Sequence, residues 1–448
     1  MTQPSLSLKE KVGYGLGDTA CNIVYQAMNN ILLFFYTEIF GLGAGTAATM
    51  FLVVRVFDAV LDPVVGTMAD RTRSKYGRYR PWLLWGAVPY GILAVLMFIT
   101  PDFGPTGKLV YAYITYTLLW VAYTALNIPY SALGGVMVAD SGERANLQTY
   151  RFAMAMVGGF LVTTAIFPLA KQLGGDNQQA GIPMAMAIMA VVAIVCFVGC
   201  FAWTRERLQP SANAPTTNPL ADVKDMFANS QWLIIAVATL LIMTTGAMQS
   251  AAKSYYVKYY LINNLTGVFA DIANLQGLFQ GVPMLAGVAG ALTAMVMVKK
   301  MCKTSVMKVA MIGEIVMNVL IWLLPRDQVL PAVALMMVAN YFHMMFIPML
   351  FSTIPDTVDF GLKTVGKGAM ALFFAGHLFS LKVGSALGGS LTGWLLDVFG
   401  YQANTTQSDA TLQGIMIAFA GSAIVGAVLV LICLRFYKLT KGWELKFA

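Results

Sequence analysis

The chain has 448 residues, 58% of them hydrophobic and 11% charged, with a formal net charge of +8. Soluble domains hold about 25% charged residues, so the composition excludes a soluble enzyme or binding module and describes a membrane protein. The basic excess requires no nucleic acid, because Lys and Arg gather in loops on one side of a bilayer as orientation signals and contacts to anionic lipid.

A helix crosses a bilayer with about 20 predominantly apolar residues. Pro, Gly and charge clusters cut the chain into twelve such segments, at 18–41, 46–69, 82–101, 108–133, 149–171, 180–203, 232–260, 270–298, 306–325, 330–354, 369–398 and 410–437. The short alternating strands of a transmembrane barrel are absent from the pattern, so the expected class is all-α. The stretch MTQPSLSLKEKVGYGLGD lacks the apolar core and small-residue site of a cleaved leader, which predicts an N-terminus that stays inside. With both termini cytoplasmic, twenty-two Lys and Arg fall inside and five (Lys108, Lys171, Lys253, Lys258 and Arg326) outside, and that asymmetry sets the topology.

In span 1, Asp18, Asn22, Gln26 and Asn29 follow one another down a single helical face. Asp18 reads as the N-cap of this helix. The three amides form a polar stripe that is costly against lipid, so it should face an aqueous cavity, where side chains that both donate and accept suit sugar hydroxyls. Span 2 carries Arg55, Asp58 and Asp62 at i, i+3 and i+7, again one face. Ionisable groups cost a few kcal/mol each inside a membrane. Even if Arg55 neutralises Asp58, the stripe keeps one negative charge. A bound Na⁺ or a proton would cancel it, which makes Asp58 and Asp62 the candidate coupling-ion pair.

The loop after span 2 runs from Asp70 and Arg71 through Gly77 and Arg78, a pattern in which an Asp–Arg pair latches adjacent helices on the cytoplasmic side. Span 4 ends in WVAYTALNIPYSALGG, with Tyr123, Asn127 and Tyr130 on one face and Thr124 beside them. Aromatic faces and amides together suit a carbohydrate, although Tyr130 also fits an interfacial anchor. The polar segment 204–231 then divides the chain into a six-span bundle at 1–203 and another at 232–448. Two such halves describe the major-facilitator architecture, with substrate bound at the midplane.

In the second half Glu314 and His343 read as packing residues, and IPDTVDFGLKTVGKG as a cytoplasmic loop whose Asp356 and Asp359 either latch to basic loops or are merely solvated. Span 11 holds His377 and Lys382. Lys382 is too far from either end to snorkel and is expected to face the cavity with His377. The five cysteines, Cys21, Cys196, Cys200, Cys302 and Cys433, lie in or at the ends of apolar spans and read as packing. No HExxH, Cys/His cluster or Ser/His arrangement suggests an intramembrane enzyme.

The stretches YGLGD, FFYTEIFGL, RVFDAVLDPVVG, SKYGRYRPWLL, YTALNIPYSAL, DTVDFG and LKVGSALGG run in order through nearly the whole chain. They resemble the glycoside–pentoside–hexuronide:cation symporter family, and within it the bacterial xyloside permeases. The resemblance implies that Asp58 and Asp62, with Thr124 beside them, hold Na⁺ or a proton. It further implies that Asn22, Asn127 and Arg151 contact sugar, with Lys382 in the adjoining polar network. The family's melibiose permease has carboxylates where Asn22 and Asn127 stand and Trp where Ser131 stands. Their loss favours a proton over Na⁺ and leaves Arg151 and Lys382 less neutralised, hence tolerant of an anionic sugar. The expectation is a monomeric secondary transporter of a bacterial inner membrane, without cofactor, importing a xyloside or small oligosaccharide. The rivals are an importer of hexuronides or sulfo-sugars and an uncoupled uniporter.

Overall fold

The computed structural model describes residues 6–138, 141–207, 226–365 and 370–439. Most of the 204–231 connection falls outside the described residues. Twelve long helices are present among the described residues: α1 (Leu8–Asn30), α2 (Ala44–Arg71), α3 (Arg80–Leu96), α4 (Pro105–Met137), α5 (Ser141–Gly174), α6 (Gln178–Trp203), α7 (Ser230–Tyr255), α8 (Ile272–Met297), α9 (Lys303–Leu323), α10 (Val329–Ser352), α11 (Met370–Val398) and α12 (Asp409–Phe436). Eight helices are long and apolar enough to cross a membrane among the described residues. The chain divides into two compact units, 1–214 with α1–α6 and 215–448 with α7–α12.

Each unit repeats one packing plan. In the first, α1 lies against α5 and α6, α2 against α4, and α3 against α6; in the second, α7 lies against α11 and α12, α8 against α10, and α9 against α12. Glycine makes the close approach onto the first helix of each. A methyl at Gly158 of α5 would stand 2.5 Å from the Thr19 carbonyl oxygen of α1, and one at Gly384 of α11 would stand 2.6 Å from the Leu240 carbonyl oxygen of α7. Small residues permit such contact where lipid supplies no hydrophobic drive. The first helical segment of each unit also ends alike, in a π-turn: Tyr36–Phe40, after a short helix Leu32–Phe35 that follows α1, and Tyr256–Tyr260, directly after α7.

The apolar surface is organised for lipid. On α6 the exposed side chains Met184, Ile188, Val191, Val195 and Val198 form one continuous stripe, a patch a water-soluble monomer would not present.

Two expectations are corrected. The first helix begins ten residues before the apolar run, because Ser7 accepts from the Glu10 backbone and the Glu10 carboxylate reaches back to Ser7, a complete capping box. Asp18 is therefore in mid-helix and caps nothing. Residues Ile354–Val365 form a short helix, not a loop. Its inward residues Ile354, Thr357 and Val358 are buried while Asp359 is exposed, an amphipathic period that the acidic pair concealed. All five cysteines are free; Cys302 and Cys433 are only partly buried.

Candidate functional site

The first unit gathers four polar helix faces. Along α1, Asn22, Tyr25, Gln26 and Asn29 are the partly accessible positions of a stretch whose other side chains are buried, so the amides expected as a stripe in span 1 share one accessible face of that helix. Gln26 accepts from Asn30 at 2.9 Å. On α4, Tyr123 and Asn127 are partly accessible, and Arg151 of α5 is likewise. Asn127 lies within hydrogen-bonding reach of Cys21.

The carboxylates of α2 are held differently from one another. Asp58 is 1% exposed and accepts a 2.6 Å hydrogen bond from the Thr124 hydroxyl of α4, itself 1% exposed. Asp62, one turn further, is partly accessible. The guanidinium of Arg55 is engaged elsewhere: it lies 3.5 Å from the Trp120 ring centroid and donates to the Asn29 side chain at 3.4 Å. Among the described residues Arg55 forms no ion pair, so cation–π contact and an amide, not Asp58, compensate it. Tyr25 stacks on Tyr123 at 5.7 Å, and Trp120 meets Tyr123 edge-on at 5.2 Å. The aromatic wall thus includes Tyr25 and Trp120, which sequence reading did not single out.

Asp18 and Arg151 form the second ionic element. Arg151 Nε donates to Asp18 Oδ2 at 3.0 Å while its guanidinium sits 5.1 Å from the Tyr130 ring and reaches Ser131 Oγ at 3.5 Å. Asn22 donates to Asp18 Oδ1 at 3.5 Å. Arg151, expected to be less neutralised than its counterpart in the melibiose permease, is paired here with Asp18. Tyr130 is no surface anchor, being fully buried and donating to the Tyr14 carbonyl at 2.8 Å. Among the described residues the site brings together the carboxylates of Asp18, Asp58 and Asp62 and the guanidiniums of Arg55 and Arg151, with carboxylate and hydroxyl oxygens that suit a hard cation or a proton. A surface cleft of about 480 Å³ in the same unit, around Leu42, Thr46, Phe103 and Lys108, contains none of these residues.

At the end of α2 the latch differs from the expected Asp–Arg pair. Asp70 accepts from the Tyr79 hydroxyl at 2.8 Å. Burial, reinforced by that bond, pushes the Tyr79 hydroxyl up to about 12, so it remains a donor at neutral pH. The strongest tie is Glu206, beyond α6: its carboxylate accepts from the backbone N–H groups of Arg78, Tyr79 and Arg80 at 2.8, 2.8 and 3.0 Å. Arg71 is exposed and Arg78 takes part through its backbone. Glu206 was legible only as one charge in a polar run.

In the second unit, Asp356 is gripped by Lys303, whose ammonium donates to both carboxylate oxygens at 2.9 and 2.8 Å and to the Ser352 carbonyl at 2.8 Å. Asp359 is exposed and Lys382 partly accessible. His377, expected at a cavity, is 0% exposed, its Nδ1 3.1 Å from Thr239 Oγ1 and its ring edge-on to Phe351. Packing of α11 on α7 takes it out of reach of solute. Glu314 and His343, read as packing residues, meet across α9 and α10 at 3.0 Å.

A sequence model of the MFS/sugar transport protein family matches residues 13–441. The chain belongs to that family. It is a membrane transporter of major-facilitator fold and not an enzyme. This transporter is 38% identical over 442 residues, 98% of its length and 94% of the relative's, to the protein named inner membrane symporter YicJ of Escherichia coli (strain K12). It is 32% identical, over 96% of its length and 89% of the relative's, to the isoprimeverose transporter of Lactiplantibacillus pentosus. Among solved structures it is similar to a point mutant of the nucleoside transporter NupG, with a TM-score of 0.70 at 12% identity over 95% of this chain and 99% of that one, a likeness of fold alone.

Proposed function

We propose that the protein imports a neutral glycoside, a xyloside or small oligosaccharide, by alternating access, in symport with a proton or Na⁺ held by Asp58, Asp62 and Thr124. The bond from Thr124 to the buried Asp58 carries this reading, since it fixes one of the two α2 carboxylates in the interior with a hydroxyl oxygen beside it. Cation binding neutralises carboxylate charge there, and neutralisation is a source of the differential stability that any coupled conformational change requires. The amides Asn22, Gln26, Asn29 and Asn127, with Tyr25, Trp120 and Tyr123, supply hydrogen bonds and ring faces for the sugar. A relative that carries isoprimeverose, a xyloside, favours that substrate class. Pairing of Arg151 by Asp18 weighs against an anionic sugar. The setting in this reading is a bacterial inner membrane, with both termini cytoplasmic.

Flux of labelled isoprimeverose and of a glucuronide into proteoliposomes, with and without an imposed proton or Na⁺ gradient, tests the proposal. Gradient-driven accumulation of isoprimeverose is expected. Uptake that only equilibrates establishes a uniporter instead, and preference for the glucuronide overturns the neutral-substrate assignment.

A further inference from the structure

The second unit buries a set of ionisable and amide side chains that the cation site of the first unit does not use. Glu314 on α9 is 2% exposed, and one of its carboxylate oxygens, Oε1, lies 3.0 Å from His343 Nδ1 on α10. The other, Oε2, is buried without a hydrogen-bond partner. An isolated carboxylate in such a place costs several kcal/mol unless a charge or proton meets it. One turn along α9, the fully buried Asn318 donates to the Glu314 carbonyl at 2.9 Å and accepts from Gln249 of α7 at 2.7 Å. One turn beyond Gln249 stands Lys253, 8% exposed, within electrostatic reach of His343 and in no ion pair among the described residues.

Access to this cluster is graded. The His343 side chain keeps 16% of its surface and Glu314 only 3%. Gly246 of α7 faces the outer edge of the ring: a methyl there would stand 3.3 Å from Cε1 and 3.6 Å from Nε2. Glycine at that position leaves the Nε2 edge uncovered. Of the helices packed around the pair, α8 carries no ionisable acid or base, those of α12 lie toward its ends (Asp409, Cys433 and Arg435), and α11, packed on α7, carries His377, Lys382 and Asp397.

We propose that Glu314 and His343, with Lys253 beside them, form a proton-binding site inside the second unit, separate from the Asp58 and Asp62 face. In the unloaded state Nδ1–H donates to Glu314 Oε1 and the Nε2 lone pair is open. A hydronium ion passes its proton to the Nε2 lone pair and is left as water, giving an imidazolium that keeps its Nδ1–H bond to the carboxylate. The cluster of carboxylate, imidazole and ammonium passes from no net charge to one positive charge. Glu314 holds the proton and Lys253 opposes it, so a small displacement of α7 against α9 and α10 changes its occupancy.

The chain contains two histidines, so isotope-labelled histidine in the full-length protein gives two ring signals by NMR, and His377→Asn assigns them. In sodium-free detergent the His343 ring is expected to titrate between about pH 5 and 8. Glu314→Gln should move its midpoint by about one unit or more, and Lys253→Met should move it in the opposite sense, with the His377 signal unchanged. A His343 ring that does not titrate in the native protein overturns the proposal. So does a midpoint that neither substitution moves. The readout needs no sugar, so failure here is distinct from failure of the transport reading.

Discussion

Asp58 shows how one side chain can be both buried and ready. Its carboxylate accepts from the Thr124 hydroxyl at 2.6 Å in the interior of the first unit, and hydrogen bonds to charged groups contribute about 1.5–3 kcal/mol. Thr124→Val removes the donor and keeps the shape, so for a Na⁺-coupled protein half-saturation of sugar uptake by the cation should rise by about ten- to a hundredfold, whereas for a proton-coupled one it should fall, because the carboxylate loses a bond that favours its charged form. Thr124→Ser should stay near the native value. A cation dependence in the Val variant identical to the native one would show that the hydroxyl only fills space. The Asp18–Arg151 pair has a different energetics, since its side chains retain 7% and 19% of their surface. Breaking a buried pair by removing one partner costs about 3–5 kcal/mol, reduced here by the accessibility of Arg151. Asp18→Asn should therefore lower thermal stability in detergent by about 2–3 kcal/mol, and Asp18→Asn combined with Arg151→Gln should recover most of the loss. Additive losses in the double variant would refute the pairing. The sequence carried part of this: helical spacing put Asp18 on the polar stripe of α1 and Asp58 on that of α2. It could not say that Arg151, more than a hundred residues away, meets Asp18, or that Arg55 would prefer Trp120 to a carboxylate three residues on, because periodicity names a face and never the partner across it.

At the scale of elements, the turn between α2 and α3 depends on one glycine and one distant acid. Gly77 has φ of +106°, and the side chain a methyl there would strike is the Glu206 carboxylate. A non-glycine residue in left-handed backbone costs about 1–2 kcal/mol, and displacing Glu206 also releases its three backbone donors. Gly77→Ala and Glu206→Gln should both speed proteolysis of the 72–79 turn and lower the unfolding temperature, the Gln variant less because it retains an acceptor. Unchanged cleavage in both would mean that the turn is held by Tyr79, Asp70 and the Trp82–Thr72 bond alone. Hydropathy located the helices because the bilayer demands long apolar runs, and most ends fall within a few residues of those expected. The exceptions have identifiable causes. The start of α1 is polar and set by Ser7 and Glu10, a capping signal visible in SLKE but outweighed by the search for apolar length. The helix Ile354–Val365 opens with Pro355 and two acids, turn-forming chemistry that its buried face overrides.

For the whole molecule, the two units share a packing plan but not a charge plan. The polar segment 204–231 marked the two halves, whereas the matching π-turns at Tyr36–Phe40 and Tyr256–Tyr260 and the matching glycine contacts of α5 and α11 are local geometry with no clear mark in composition. Ionisable groups separate the units: the first places the carboxylates of Asp58 and Asp62 on one face of α2, and the second holds the Glu314–His343 pair. If the first face binds the coupling ion, that ion should stabilise the fold by mass action, about 2.7 kcal/mol at a concentration one hundred times its dissociation constant. Replacing choline by Na⁺ at constant ionic strength should then raise the unfolding temperature for a Na⁺-coupled protein, while a proton-coupled one should respond to acidification and not to Na⁺. Asp62→Asn removes one negative charge from the face and should abolish that response together with uphill accumulation of sugar. Exchange of sugar across the membrane should persist, because the amides and aromatic rings of α1 and α4 are untouched. Full concentrative uptake by Asp62→Asn would move the coupling site elsewhere, and the pair Glu314 and His343 would be the next residues to test.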